Sequence, residues 1–218
     1  MPHTWDPDAL EPEAAITRLL EGNRRFWQGC PVHSTRAFSA ELAVRPQRPF
    51  AIVLGCSDSR TPIEVLFDEG FGDLFVVRVA GNVVAPSVVG SIEFAASQFG
   101  TRLVLVLGHT QCGAIAATLR ASLDGGEPES RNIRSIVDRI RPHIEPALRL
   151  REKAEPATSG ADETEFLREL VRMNVRASVD HLRHGSKILE DLVVAGRVAV
   201  VGADYELETG RVTIVDRG

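Results

Sequence analysis

The stretch Phe50-Ala51-Ile52-Val53-Leu54-Gly55-Cys56-Ser57-Asp58-Ser59-Arg60 decides the fold. Its first half is an apolar run without polar alternation, which is typical of a strand buried on both faces of a parallel sheet. Its second half is polar and follows that strand directly. Because ligand sites of open parallel sheets form at the carboxyl ends of the strands, Cys56, Asp58 and Arg60 are candidate functional residues.

A second segment has the same arrangement. The apolar run Leu103 to Leu107 leads directly into Gly108-His109-Thr110-Gln111-Cys112-Gly113. If the two predicted strands are neighbours, their carboxyl ends bring Cys56, His109 and Cys112 together at one edge of the sheet.

The remaining chain alternates between strand and helix patterns. Apolar spacing predicts helices over 12–28, 87–99, 112–122, 131–150 and 165–195, and strands over 74–79, 198–202 and 212–215. Thr61-Pro62-Ile63-Glu64 has the spacing of a capping box, which predicts a short helix capped by Thr61. The polar segment 151–160 is predicted to be a surface loop. We therefore expect an α/β fold with a central, mainly parallel β-sheet, an antiparallel edge strand, flanking helices and an N-terminal helical arm.

Composition limits the possible classes of protein. A chain of 218 residues that is 44% hydrophobic and 25% charged can bury one core, so we expect a single domain over 1–218 that includes a helical arm over 1–45. The net charge of −5 and the pI near 5.7 argue against a nucleic-acid or anionic-membrane partner. No signal-like N-terminus or bilayer-length apolar run is evident, which favours a cytoplasmic location.

Two cysteines and a histidine are a ligand set that suits zinc. Zinc favours sulfur and nitrogen, and catalytic zinc commonly keeps three protein ligands and one open position. Cys112 is expected at a helix N-terminus, where the partial positive charge favours thiolate. Two thiolates cancel the charge of the ion, so neighbouring groups must help to activate water. Asp58 and Arg60 lie on the same side of an extended segment as Cys56; Asp58 either ligates the metal and closes the site, or pairs with Arg60 and leaves it open.

These residues resemble the β-class carbonic anhydrases, in which a Cys-x-Asp-x-Arg loop is followed some fifty residues later by His-x-x-Cys. The resemblance is strong from Gln47 to Gly113 and continues more weakly to Glu208-Thr209-Gly210. It implies reversible hydration of carbon dioxide to bicarbonate and a proton by zinc-bound hydroxide, with one Zn²⁺ per chain. By the same resemblance, the metal ligands are Cys56, His109 and Cys112, and the catalytic pair is Asp58 and Arg60.

The sequence resembles the plant-like branch of this family, whose sites are open. In that branch a glutamine nine residues before the first cysteine helps to bind the anion, and Gln47 stands at this position. Phe75 matches a phenylalanine of the apolar pocket, Ala80 stands in place of a valine, and Phe94 stands in place of a tyrosine. The backbone N–H of Gly113 is a further candidate donor to a bound anion. These five residues are the expected substrate-binding set.

The family also implies an oligomer. Its minimal unit is a homodimer, with homotetramers built from it, and the N-terminal helix embraces the neighbouring subunit while the pocket lies between subunits. The helix that carries Phe26 and Trp27 suits that role; the alternative is that it packs on the core of its own chain. Val53 stands where the other branch has the tryptophan of an inhibitory bicarbonate site, so no such site is expected.

Other functions share parts of this pattern. The same zinc site is compatible with hydrolysis of carbonyl sulfide or carbon disulfide, and a closed site would make a non-catalytic, zinc-stabilised protein. A thiol redox protein would use the pair Cys56 and Cys112. Cys30 is interpreted as a packed or partly exposed thiol, and His33, His181 and His184 stay open as proton shuttles.

Overall fold

The computed structural model of the chain describes residues 9–33, 46–123, 125, 128–152 and 160–217. The expected N-terminal arm over 1–45 therefore lies partly outside the described residues, at 1–8 and 34–45. The same holds for most of the predicted loop at 151–160.

A five-stranded sheet forms the centre of the molecule. Its strand order is β2 (Leu74–Arg78), β1 (Ala51–Gly55), β3 (Leu103–His109), β4 (Ala199–Tyr205) and β5 (Val212–Asp216). Strands β2, β1, β3 and β4 pair with one another in parallel, and β5 pairs with β4 in antiparallel orientation. The structure confirms the predicted mainly parallel sheet with an antiparallel edge strand.

Helices flank both faces of this sheet. They are α1 (Pro12–Trp27), α2 (Ile63–Leu66), α3 (Pro86–Phe99), α4 (Gly113–Leu123), α5 (Arg131–Glu152), α6 (Gly160–His184) and α7 (Lys187–Val194), and a short 3-10 turn lies at Ala80–Asn82. Within the described ranges, none of these helices combines the length and the apolar character that a bilayer crossing requires.

Two details of the helix predictions are wrong. The single helix expected over 165–195 is broken between α6 and α7, where Ser186 has an extended backbone and its hydroxyl accepts a hydrogen bond from the Leu189 N–H. The Ser186 cap starts a new helix, and this start is not visible in the apolar spacing alone. The hydroxyl of Thr61 does not cap α2; it donates instead to the carbonyl groups of Cys56 and Asp58.

The core lies on both faces of the sheet. Every residue of β1 and β3 is buried, which accounts for their uninterrupted apolar sequences. Helices α1 and α2 pack on one face. Helices α3, α6 and α7 pack on the other face, and α4 and α5 enclose the carboxyl ends of β1 and β3 together with α6.

The N-terminal helix packs on its own chain. Ala15, Ile16 and Leu19 are buried against the sheet, and the Asn23 amide donates to the carbonyl groups of Leu66 and Gly210. Of the two arrangements considered for α1, the structure therefore has the alternative in which its apolar face belongs to its own core. Contact of Phe26 and Trp27 with a neighbouring subunit stays a prediction.

Candidate metal centre and active site

The carboxyl ends of two neighbouring strands bring three metal-binding side chains together. Cys56 directly follows β1, His109 is the last residue of β3, and Cys112 directly precedes α4. Strands β1 and β3 pair in parallel, with Gly55 opposite Leu107. All three residues are buried, and their ligand atoms lie within 4.8 Å of one another. The structure thus brings together the three residues that the sequence predicted as metal ligands.

The histidine of this group has one nitrogen available. Its Nδ1 lies 2.9 Å from the Thr110 carbonyl oxygen, so Nδ1 carries the hydrogen and donates it. Its Nε2 is buried and has no hydrogen-bond partner among the residues that the structure describes. A buried nitrogen lone pair without a partner is costly unless a cation occupies the position before it. His109 therefore fits a metal ligand whose orientation is fixed by a backbone carbonyl.

The two cysteine sulfur atoms lie within 4.8 Å of each other, and each changes the pKa of the other. A hydrogen bond from Cys112 lowers the pKa of Cys56 to about 4, against the opposing effect of burial, and the Gly81 N–H donates to the Cys56 sulfur at 3.3 Å. The same hydrogen bond to the Cys56 thiolate, together with burial, raises the pKa of Cys112. Burial acts to lower the pKa of His109, but the neighbouring Cys56 sulfur outweighs it and the pKa is raised. A divalent cation bound by both sulfur atoms would compensate the charge of both thiolates.

Asp58 is paired with Arg60. The Arg60 guanidinium donates to both Asp58 carboxylate oxygens, at 3.0 and 2.8 Å, and the Arg60 backbone N–H donates at 2.9 Å. The hydrogen bonds from the Arg60 side chain are the main reason that the pKa of Asp58 lies well below its usual range. One Asp58 oxygen lies 4.0 Å from the His109 Nε2. Of the two roles considered for Asp58, the structure has the one in which the carboxylate pairs with arginine beside the ligand group.

Two further residues hold the loop after β1. Arg78, at the carboxyl end of β2, donates to the carbonyl oxygens of Cys56 at 2.9 Å and of Asp58 at 2.7 Å. The buried Thr61 hydroxyl lies 2.8 Å from the same Asp58 oxygen. The sequence analysis missed both roles. Arg78 could have been found by its position, because it ends a strand at the same edge of the sheet as Cys56.

The expected substrate-binding residues fall into two groups. Ala80 begins the turn that contacts the Cys56 sulfur, and Gly113 is the exposed first residue of α4, next to Cys112. Gln47 precedes the amino end of β1, which is the end opposite to the metal ligands. Phe75 pairs with Ile52 within the sheet, and Phe94 packs with Phe99 on α3, with ring centroids 5.6 Å apart. Within one chain, the structure does not bring Gln47, Phe75 and Phe94 to the ligand group.

Comparison with known proteins gives a consistent result. The family model described as "Carbonic anhydrase" matches residues 51–212. A carbonic anhydrase of Mycolicibacterium smegmatis is 42% identical over 204 residues, covering 93% of each chain. A solved β-carbonic anhydrase of Aspergillus fumigatus superimposes with a TM-score of 0.68 at 26% identity, covering 94% of this chain and 91% of that one. The chain belongs to the β-class carbonic anhydrases.

Two further proteins are similar to this chain. Carbonic anhydrase 2 of Mycobacterium tuberculosis is 36% identical over 206 residues, covering 94% of this chain and 93% of its own. A β-carbonic anhydrase of Sordaria macrospora, described as tetrameric, shares the fold with a TM-score of 0.70 at 21% identity, covering 92% of this chain and 96% of that one.

Proposed function

We propose that this β-carbonic anhydrase catalyses the reversible hydration of carbon dioxide to bicarbonate and a proton, with one zinc ion per chain held by Cys56, His109 and Cys112. The observation that carries the proposal is the convergence of these three ligand atoms. The buried His109 Nε2 has no hydrogen-bond partner within the described part of the chain. Sulfur and imidazole ligands suit zinc. When bound, zinc lowers the pKa of water and so supplies a nucleophile near neutral pH.

Asp58 and Arg60 orient the nucleophile. Because Arg60 keeps Asp58 ionised, its carboxylate accepts hydrogen bonds and donates none. It therefore selects an attacking oxygen that still carries a hydrogen and directs that hydrogen away from the substrate carbon. Since Arg60 holds both carboxylate oxygens, Asp58 does not take up a ligand position and the site stays open.

The rest of the pocket is proposed to form between two copies of the chain. Ala80 and Gly113 border the site in one subunit, and the Gly113 N–H is the proposed donor to bicarbonate. Gln47, Phe75 and Phe94 would come from the neighbour. This proposal is supported by the position of β2 at the edge of the sheet and by the 52% exposure of Phe94. An open edge strand and an exposed aromatic ring favour association. A homodimer is the smallest assembly that completes the pocket, and a homotetramer would contain it twice.

The chain is further proposed to act as one domain over 1–218 in the cytoplasm. Cys56 and Cys112 are free, and zinc binding requires them to stay reduced. The cytoplasm keeps thiols reduced, which supports this location.

Two other functions are less well supported. The relatives bear the name carbonic anhydrase, which favours carbon dioxide over carbonyl sulfide or carbon disulfide as substrate. A non-catalytic protein with a closed site would need Asp58 as a ligand, and its pairing with Arg60 argues against that role.

The decisive experiment is stopped-flow hydration of carbon dioxide by zinc-quantified protein over neutral to mildly alkaline pH. We expect rapid hydration with about one zinc per chain. Cys112→Ser should lose both zinc and activity, whereas Asp58→Ala should keep zinc and lose activity. Cys30→Ser, at an exposed cysteine, is the matched control and should change neither. Full zinc occupancy without hydration would contradict the proposal, and full activity of Asp58→Ala would contradict the role of that residue.

A further inference from the structure

The turn Ala80–Asn82 contacts the Cys56 sulfur and has an unusual backbone. Gly81 and Asn82 both have positive φ angles, 66° and 44°. A Cβ atom on Gly81 would lie 2.8 Å from Ile140 Cδ1 and 3.0 Å from Ala114 Cβ, so packing as well as backbone conformation requires glycine here. The N–H of this glycine donates to the Cys56 sulfur. Because glycine restricts its own backbone least, the direction of this N–H must be fixed by other residues.

Asn174 is the residue that holds Gly81. It lies on α6, is 1% exposed, and donates from its amide nitrogen to the Gly81 carbonyl oxygen at 2.9 Å. Its amide oxygen lies 3.1 Å from His143 Nδ1 on α5. Since the amide NH₂ faces a carbonyl, its oxygen accepts from the ring N–H of His143. Both ends of the carboxamide are therefore bonded, which fixes its orientation.

We propose that Asn174 is a positioning residue for the metal ligand Cys56 and acts through the Gly81 peptide groups. The carbonyl bonded by Asn174 and the N–H bonded to sulfur lie on the two sides of the Gly81 Cα. Holding the carbonyl restrains the ψ angle of Gly81, and thereby limits the directions in which its N–H can point. Hydrogen bonds to a ligating atom orient it and tune its affinity for metal. This inference rests on the proposed zinc site.

The hydrogen-bonded series from His143 through Asn174 to Gly81 begins at a cavity. His143 is half-buried and borders a cavity of about 710 Å³ that Asp138, Arg139 and His181 also line. A larger ring at position 143 can extend into this space without overpacking the core. A substitution at His143 can therefore remove its hydrogen bond to Asn174 without changing the buried residues around Asn174.

The test compares Asn174→Leu, which keeps a similar volume without hydrogen bonds, with the unaltered protein. We expect zinc affinity, measured by chelator competition, to fall by about tenfold or more. The thiolate-to-metal absorption bands of the cobalt-substituted protein should also shift. The matched control is Thr101→Val, which removes an equally buried hydroxyl that donates to the Pro49 carbonyl oxygen at 2.8 Å, at the end of the sheet opposite to the ligand group. It should leave the cobalt spectrum unchanged.

A second variant decides the outcome if Asn174→Leu does not fold. His143→Phe removes the hydrogen bond that orients the Asn174 amide, and should shift zinc affinity and the cobalt spectrum in the same direction but less. A lowered unfolding temperature with unchanged cobalt bands and zinc affinity would overturn the inference, because a merely structural role predicts that result. Failure of the unaltered protein to bind zinc or cobalt would overturn the proposed function as well.

Discussion

At the scale of single residues, the pairing of Asp58 with Arg60 decides whether a metal at this site keeps a free position. Arg60→Ala removes the two side-chain hydrogen bonds that hold the carboxylate and leaves Asp58 able to move towards the ligand group, whose His109 Nε2 is 4.0 Å away. We expect kcat/KM for carbon dioxide hydration to fall by about 10- to 100-fold while zinc stays bound. Stopped-flow kinetics on zinc-quantified protein measures both.

The control for this variant is Arg176→Ala. Arg176 is an exposed arginine of α6 that pairs with Glu169 at 3.0 Å, so its removal should leave the rate unchanged. If Arg60→Ala hydrated carbon dioxide as fast as the unaltered enzyme, pairing with arginine would not be what keeps the site open.

Thr61 illustrates what a local pattern does not reveal. Its spacing to Glu64 matches a capping box, yet its hydroxyl donates to the loop of Cys56 and Asp58, where Arg78 of another strand also donates. The four-residue spacing from Thr61 to Glu64 contains no information about Arg78, which the fold brings to this loop from β2. The three candidate metal ligands could be predicted because they follow directly from strand ends. Arg78 could have been found in the same way, whereas the role of the Thr61 hydroxyl could not.

At the scale of elements, the junction of α6 and α7 depends on Ser186. Its hydroxyl accepts from the Leu189 N–H and donates to the Glu93 carboxylate at 2.6 Å, so it both caps α7 and fixes it to α3. Ser186→Ala should lower the free energy of unfolding by about 1–2 kcal/mol. Urea denaturation measures this change.

Ser91→Ala provides the comparison for that measurement. The Ser91 hydroxyl donates to the Ser87 carbonyl within α3, and its loss should change the free energy of unfolding by less than about 0.5 kcal/mol. If both variants lowered the free energy of unfolding equally, the cap of α7 and the contact with Glu93 would not account for the effect of Ser186→Ala.

The end of α1 is anchored by the buried Asp68, which accepts hydrogen bonds from the Arg25 side chain and from the N–H groups of Val32 and His33. Burial alone would raise the pKa of Asp68, but these hydrogen bonds lower it below its usual value. A lowered folded-state pKa means that the stabilisation is complete above the unfolded value of about 3.9 and is lost as the pH falls through the folded value.

Asp68→Asn tests this anchor. Asparagine tolerates the positive φ of 46° at this position, so the substitution leaves the backbone in place; it removes the charge and replaces one accepting oxygen with an NH₂ group. At neutral pH it should lower the free energy of unfolding by about 1–3 kcal/mol, and the difference should narrow below about pH 4. Denaturation at several pH values measures it, with Glu13→Gln of the exposed Glu13–Arg217 pair as the control. A difference that persists unchanged in acid would contradict the ionic origin.

At the scale of the whole molecule, the proposed pocket requires association of chains. Light scattering coupled to size exclusion should give at least twice the chain mass of 23.8 kDa at micromolar concentration. Phe94→Asp places a charge on the exposed ring position of α3 and should shift the protein towards the single-chain mass, with loss of activity. Leu150→Asp, at another exposed apolar position on α5, should leave the mass unchanged. A monomeric unaltered protein with full activity would contradict the proposal.

The overall architecture could be predicted from sequence because buried strands, helix spacing and strand-end motifs are local signals. Contacts that join distant parts of the chain could not be predicted from the sequence. The Asn174 amide and the Gly81 carbonyl are 93 positions apart, and neither residue type indicates the other. Gln47, Phe75 and Phe94 were predicted from resemblance, and one chain alone does not bring them to the ligand group.

The position of the ligands at the ends of β1 and β3 has a consequence for biosynthesis. The turn that carries Cys112 is also held by β4, since the Thr110 N–H donates to the Tyr205 carbonyl oxygen and the Leu207 N–H donates to the Thr110 hydroxyl. A nascent chain that has left the ribosome only as far as β3 has the ligand residues but lacks the strand that shapes their turn. The complete ligand group therefore forms only after translation has passed Leu207.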